Sequence, residues 1–505
     1  MSTSLDGAAP VVEPLKTPAF VAVDLGATSG RVMLGVLDGG RVELVECGRF
    51  ANGPVDSGDG LRWDIESLWA GILDGLRAAG TLAARTGVEI CGIGVDSWAI
   101  DHGLLGPDGR LVGDPWCYRD ARTDGVADRV YERIPFERHY AVNGLQHLPF
   151  TTEFQLVAGA DGGLGSAEWA RASRLLLVPD LITYRLTGRQ VAEVTNASTT
   201  GMLDVRTRTW ASGLLEQLVG EYPGLSGLGE RLPELVEPGT VVGPLTDVVR
   251  EMTGLGPVPV FAVASHDTAS AVVGTPLPEE GTAAYISSGT WSLVGVELPG
   301  PVLTDASREA NFTNELGVDG TVRYLRNVMG LWILDECVRE WTAADSPGAN
   351  GPPVDLDVLL ADAAAEPGGR CLLAVDGDEF LAPGDMPARV RTAIRRSGAE
   401  VPDTRAALAR VVLDSLAEAY AGVVRQAGEL AGTEIRAVHV VGGGSRNELL
   451  NRLTAQASGL PVIAGPAEAT ALGNVLVQAR ASGVGPQTLA GLRAVVREST
   501  DLRMF

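Results

Sequence analysis

Lysine is almost absent from this chain: of its 40 basic residues only Lys16 is a lysine, and the rest are arginines. The shortage excludes several chemistries. A P-loop needs a lysine after its last glycine, a protein kinase needs one on its third strand, and Schiff-base enzymes need one as nucleophile. Lys16 lies in an Ala-, Pro- and Val-rich leader ahead of any periodic segment and serves none of these roles. Any phosphate handled by this protein must therefore be held by backbone amides, hydroxyls, arginine and metal. Long hydrophobic runs are missing too. No stretch of about 18 apolar residues occurs, which excludes a membrane-spanning helix and predicts a soluble protein.

Cysteine is sparse and scattered. Cys47, Cys91, Cys117, Cys337 and Cys371 contain no CxxC pair, and their odd number gives no complete disulfide framework, which fits a reducing cytoplasm. Positive charge is in deficit, with a net charge of −24, so neither nucleic acid nor an anionic membrane surface is an expected partner. The first residues carry Asp6, Glu13 and prolines instead of a basic start, so they are not a secretory signal. The sequons at Asn196 and Asn311 are then chance matches. HExxH, metal-type His/Cys spacing and GxSxG are all lacking, which removes the usual signatures of zinc hydrolases and α/β-hydrolases.

What is present points to two halves. A chain of 505 residues is too long for one ordinary core, so two domains of roughly 250 residues are expected. Phe20–Leu25 and Arg31–Leu37 read as strands joined by a tight Gly/Ala/Thr/Ser turn. A helix is predicted near Ile65–Ala84, followed by a strand from Ile90 that ends on Asp96. The second half repeats the device: strands at Ala283–Ile286 and Trp291–Leu298 flank Ser287–Thr290, about 265 residues after the first hairpin. That spacing predicts a duplicated domain. The break GLGPVP at Gly254–Pro259, ahead of a strand at Val258–Val263, predicts a flexible leader over 1–17, a first domain over 18–256 and a second over 257–505. Ser346–Pro353 and Ala382–Pro402 read as long surface connections.

Four constellations carry candidate chemistry. The turn from Asp24 to Arg31 offers consecutive backbone N–H groups, two hydroxyls and a guanidinium, a cradle for polyphosphate that needs no lysine. Asp24 is placed to hold magnesium through water. The same turn also reads as an ordinary hairpin in which glycine supplies φ > 0. Ser287–Ser292 offers matching chemistry in the second half. The Gly442–Gly444 turn, between a strand at Ala437–Val441 and an apolar helix, gives a further backbone contact. Val258–Thr268 is an apolar strand ending in Ser265, His266, Asp267 and Thr268. Asp267 reads equally as the acceptor of a hydroxyl proton in phosphoryl transfer or as the cap of the following helix. Asp96–His102 and Tyr118–Thr123 combine acids, arginines and aromatic faces suited to a polyol, and Asn327 is read as opening an apolar helix.

In order along the chain, VAVDLGATSGRVMLG (21–35), VDSWAID (95–101), YRDART (118–123), LPFTTEFQL (148–156), TNASTT (195–200), VASHDTASAV (263–272), YISSGTWSL (285–293), NVMGLW (327–332) and HVVGGGSRNELLN (439–451) resemble the FGGY carbohydrate kinase family of the actin-like ATPase superfamily. The likeness runs from Val21 to about Val475. It implies an α/β fold of two actin-like ATPase (ribonuclease H-like) domains, each a mixed β-sheet flanked by helices, with a cleft between them. It implies an ATP-dependent carbohydrate kinase with Mg2+ as cofactor, and ATP and a ketose sugar as partners. On this likeness Ala27, Thr28, Ser29, Gly30, Arg31, Thr290, Asp335 and Gly443 contact ATP. Ala99, His266, Asp267, Thr268 and Asn327 face the sugar, with Asp267 the catalytic base. LPFTTEFQL, VASHDTASAV and the Phe380–Met386 run lean towards members acting on L-rhamnulose, which implies phosphorylation of its 1-hydroxyl to L-rhamnulose 1-phosphate in L-rhamnose degradation. Ala99 and Asp335 depart from the family's glycine and glutamine. A cytoplasmic monomer or homodimer is expected. Two other readings stay open: an FGGY kinase for another ketose, such as L-fuculose or L-xylulose, and a non-catalytic actin-like nucleotide-binding protein.

Overall fold

The apolar segments on either side of the first small-residue turn pair as predicted. In the computed structural model, which describes residues 16–160, 162–278, 281–345 and 354–505, β1 (Pro18–Leu25) and β2 (Ser29–Asp38) form an antiparallel hairpin with Asp24 opposite Arg31. All of β1 except Pro18 is buried, as a central strand requires. β3 (Arg41–Ala51) extends the meander at a half-exposed edge. Helix α1 (Ile65–Thr86) starts where Asp64 accepts the Ser67 N–H and stops where Gly87 adopts the left-handed conformation. Its buried Ile65, Leu68, Ile72, Leu76, Ala79 and Ala83 recur at helical spacing and face the sheet core. The chain then returns as β4 (Glu89–Ser97), parallel to β1, with Asp96 beside Asp24. β5 (Val241–Pro244) and β6 (Pro259–Phe261) complete a sheet of order β5-β6-β4-β1-β2-β3.

The pairing of β6 with β4 corrects the expected division at 256/257. The strand read as the head of the second domain belongs to the first sheet, where Val260 and Phe261 pair with Ile93 and Gly94 of β4. Helix α2 (Asp267–Val273) follows after a short link.

The second sheet begins at β7 (Ala283–Ser288), which pairs antiparallel with β8 (Trp291–Leu298). β9 (Thr313–Leu316) and β10 (Val322–Met329) lie beyond β8. Helices α3 (Trp332–Asp345), α4 (Met386–Arg396) and α5 (Arg405–Ala431) come next. They are followed by β11 (Ala437–Val441), α6 (Glu448–Ser458), β12 (Val462–Ala464), α7 (Ala469–Ala481) and β13 (Arg503–Met504). The sheet order is β9-β10-β8-β7-β11-β12-β13. Beyond its first strand each sheet continues with two parallel strands and then one antiparallel strand. The duplication inferred from two hairpins is thus written in strand order.

Two local expectations are corrected. Asn327 lies on β10, opposite Leu293, and the helix opens only at Trp332. The supposed connection Ala382–Pro402 contains α4, which buries Met386, Val390 and Ile394 at four-residue intervals while its arginines face outwards. Residues 1–15 of the leader and Ser346–Pro353 lie outside the described residues. Among the described residues no helix is long and apolar enough to cross a membrane, and all five cysteines are free thiols.

Candidate active site

The strand ends and turns of both sheets meet at one cavity of about 470 Å³. From the first hairpin it is lined by Asp24, Ala27, Thr28, Ser29 and Arg31, and from the second half by Thr290 and Gly443. Ala99, His266, Asp267, Thr268 and Asn327 line the same space. The residues expected for nucleotide and for sugar, drawn from distant parts of the chain, are therefore brought together.

Two of the expected residues stand apart from the lining. Gly30 sits opposite Phe50 in the β2–β3 register, and a Cβ there would fall 2.2 Å from the Phe50 ring. Its glycine character thus serves the packing of Phe50. Asp335, in the first turn of α3, lies outside the cavity lining.

Asp267 is the first residue of α2, and the cap position is His266. Its carboxylate accepts the Thr268 hydroxyl at 3.0 Å and keeps 31% of its side chain open to the cavity. Desolvation raises it above the usual carboxylate range. A carboxylate so placed accepts a proton readily. The turn that carries it is pinned from behind by Glu193, a buried residue that the sequence motifs did not single out. Its Oε2 accepts both the Ser265 N–H and hydroxyl at 2.8 Å and the Thr195 hydroxyl at 2.5 Å.

Asp24 and Asp96 flank the same strand ends. Arg31 binds both Asp24 and Glu468, so its guanidinium is already neutralised before any phosphate arrives. Asp96 Oδ2 accepts the Asn474 amide at 2.5 Å, while Oδ1 has no hydrogen-bond partner. Burial first raises the carboxyls of both Asp24 and Asp96, and repulsion adds to it, from Asp267 on Asp24 and from Asp24 and then Asp267 on Asp96. No group of three ligating side chains close enough to hold a bare ion occurs among the described residues. An unpartnered buried carboxylate oxygen amid three repelling acids fits a hydrated divalent cation, which binds through its waters.

The remaining wall is aromatic and crosses both halves. Tyr118 and Phe150 lie 5.4 Å apart, Phe150 and Trp291 6.2 Å, and Trp291 Nε1 donates to the Tyr118 hydroxyl at 3.4 Å. Ile100, beside Ala99, is held at φ 67°, a costly conformation for a β-branched residue, and its carbonyl is gripped by the Thr152 hydroxyl at 2.6 Å. Gln146 Oε1 accepts both the backbone and side-chain N–H groups of Asn327, at 2.9 and 3.1 Å.

Beneath the aromatic wall, fully buried Asp101 accepts hydrogen bonds from Trp63 Nε1 (2.6 Å), Trp98 Nε1 (3.1 Å), Tyr118 N (3.2 Å) and Gln155 Nε2 (2.8 Å). Desolvation outweighs these bonds and raises its pKa from 3.8 to about 6. The folded protein then binds this proton more tightly than the unfolded chain does. The associated stability is complete below about pH 4 and is lost as pH rises through about 6. Asp101→Asn removes that dependence. The stability of wild type minus variant, from urea titrations, is expected to fall by roughly 3 kcal/mol between about pH 4 and 7. A constant difference would contradict the assignment.

Two similar domains around a cleft, with an acid between two phosphate-competent hairpins, define a sugar-kinase architecture. Residues 19–274 match the N-terminal domain of the FGGY family of carbohydrate kinases, and residues 284–482 match its C-terminal domain. The chain belongs to the FGGY family of carbohydrate kinases and is a sugar kinase. It is 40% identical over 489 residues to a rhamnulokinase of Bacteroides thetaiotaomicron, covering 96% of this chain and 95% of that one. A Pectobacterium carotovorum rhamnulokinase is 42% identical, covering 96% of this chain and 92% of the relative. Among solved structures, gluconate kinase from Lactobacillus acidophilus superposes with a TM-score of 0.74 at 17% identity, covering 95% and 92% of the two chains. Plasmodium falciparum glycerol kinase with ADP gives 0.72 at 14%, covering 97% and 94%. The fold is two actin-like ATPase domains, each a mixed sheet flanked by helices.

Proposed function

We propose that this chain phosphorylates the 1-hydroxyl of L-rhamnulose with ATP, giving L-rhamnulose 1-phosphate and ADP in L-rhamnose degradation. The observation that carries the reading is the meeting of Asp267 with both hairpin turns in one cavity. The near full-length likeness to proteins named rhamnulokinase supports the choice of sugar. Asp267 takes the proton from the 1-hydroxyl as that oxygen attacks the γ-phosphorus, and the bond to the ADP oxygen breaks. The amides and hydroxyls of Ala27–Ser29, with Thr290 and Gly443, hold the phosphates. Gly30 contributes only backbone to that turn, and Asp335 lies outside the cavity lining. His266, Thr268 and Asn327 bind the sugar hydroxyls, and the turn at Ala99 shapes that end of the cavity. Closure of the cleft keeps water from competing with the sugar.

Asp24 and Asp96 would hold magnesium through water, and the ion would neutralise charge on the transferring phosphate. Asp96→Asn is expected to raise the Mg2+ concentration needed for half-maximal rate by roughly tenfold, with the ketose KM little changed. An unaltered metal requirement would remove Asp96 from this role. The two domains are proposed to run over 18–274 and 283–505, in a cytoplasmic monomer or homodimer. Stimulation of ADP release by L-rhamnulose tests the reading against a non-catalytic nucleotide binder. Release that ignores every sugar would overturn it.

A further inference from the structure

Behind His266 lies a buried ion pair that none of these roles uses. Arg323 on β10 is 0% exposed, and Glu315, opposite it on β9, lines the cavity. Arg323 Nη1 lies 3.0 Å from Glu315 Oε2, and its Nε donates to the Leu316 carbonyl at 3.2 Å. Its Nη2 lies 3.0 Å from His266 Nδ1 in hydrogen-bonding geometry. A guanidinium has donors and no acceptor, so the ring nitrogen it meets must present a lone pair.

The proton of the neutral imidazole then sits on Nε2, the nitrogen that lies 3.5 Å from Asp267 Oδ1. Glu315 Oε2 is also 3.1 Å from Nδ1, but it forms no hydrogen bond by geometry. Its place is to balance the buried Arg323 charge. Burial alone would raise the Glu315 carboxyl, yet the Arg323 charge holds it below the usual range. The backbone of His266 is separately fixed, its N–H donating to the Thr195 hydroxyl at 3.3 Å.

We propose that the Arg323–Glu315 pair is a positioning device that holds His266 as its Nε2–H tautomer, so that His266 donates to a sugar oxygen while Asp267 alone accepts the proton. The proposal rests on the reading of His266 and Asp267 given above. It assigns Arg323 a part in sugar recognition although it touches no ligand. With Arg323 gone, the Nδ1–H form would bond Glu315 and turn an acceptor towards the sugar.

The test is 15N NMR of the full chain labelled at its five histidines, with the His266 signals assigned through His266→Gln. Wild type without ligand is expected to show protonated Nε2 and bare Nδ1, and an Nδ1–H form overturns the proposal. In Arg323→Met the tautomer is expected to switch. The ketose KM should then rise about tenfold, as for one lost hydrogen bond, with kcat and the ATP KM within about twofold. A switched tautomer with an unchanged ketose KM also overturns it. The wild-type spectrum is decisive whether or not the variant folds. Because it needs no substrate, it stands apart from the ketose assignment, which fails separately if wild type turns over no ketose.

Discussion

Asp267→Asn is expected to lower L-rhamnulose-dependent ADP release by about 10³-fold, within the 10²–10⁴ range typical of losing a general base. The amide keeps the shape of the carboxylate and removes the proton acceptor. The same change is expected to stabilise the protein. Folding raises the Asp267 pKa, chiefly through desolvation, so its ionised form is costlier in the native state than in the unfolded chain. The stability linked to this group is fully present below its ordinary pKa and is lost as pH rises through the folded value. At neutral pH wild type therefore bears a cost that the neutral amide avoids, and Asp24 and Asp96 lose a repelling neighbour. Thermal unfolding at pH 7.5 should show the variant melting no lower than wild type while turnover collapses. Lost activity with a lowered melting temperature would point to misfolding. Near-normal turnover would remove Asp267 from the chemistry.

Gly473→Val is expected to destabilise the protein by about 3 kcal/mol or more, read as a lower urea midpoint. Even a single Cβ at Gly473 in α7 would fall 1.9 Å from the Ser270 carbonyl oxygen in α2, and one at Gly274 would fall 2.1 Å from the Ala469 carbonyl. Both obstacles are backbone, so no side chain can turn aside. The crossing also matters for the site. α2 begins with Asp267, while α7 carries Asn474 onto Asp96 and Gln478 onto the Val21 carbonyl at 3.0 Å. Prising the helices apart should therefore lower activity per folded molecule as well. Gly422→Ala in α5, where a Cβ meets nothing within 4 Å, is the matched control and should gain roughly 0.5–1 kcal/mol. Equal stability of the two variants would contradict the close-packed crossing.

Much of this site was legible in the sequence because its parts are local. A hairpin turn, a strand end and a glycine-rich turn each announce themselves within a dozen residues, and Asp267 was marked by polar residues closing an apolar strand. The long, regularly amphipathic α1 was equally plain. Asn327 was misplaced on a helix because a short apolar run reads alike as strand or helix. Helix α4 was taken for a connection because its arginines and Pro387 masked three buried positions four residues apart.

The supporting residues were illegible for another reason. Gln146 meets Asn327 across 181 positions, and Glu193 meets Ser265 across 72. Asp101 and Arg323 are buried charges whose purpose exists only in the partners that folding brings to them. The division between halves was placed too early because a proline- and glycine-rich break looked like a linker, whereas the strand after it finishes the first sheet.

The near absence of lysine is compatible with the same geometry. Arginine, hydroxyls, amides and carboxylates line the phosphate end of the cavity, and no position there calls for an ammonium group. The central claim is tested most directly by ADP release across a panel of L-rhamnulose, L-fuculose and L-xylulose, with the phosphorylated position of the product read by NMR. The expected result is the highest kcat/KM for L-rhamnulose with phosphate on O1. Preference for another ketose, phosphate at another position, or release that no ketose stimulates would contradict it.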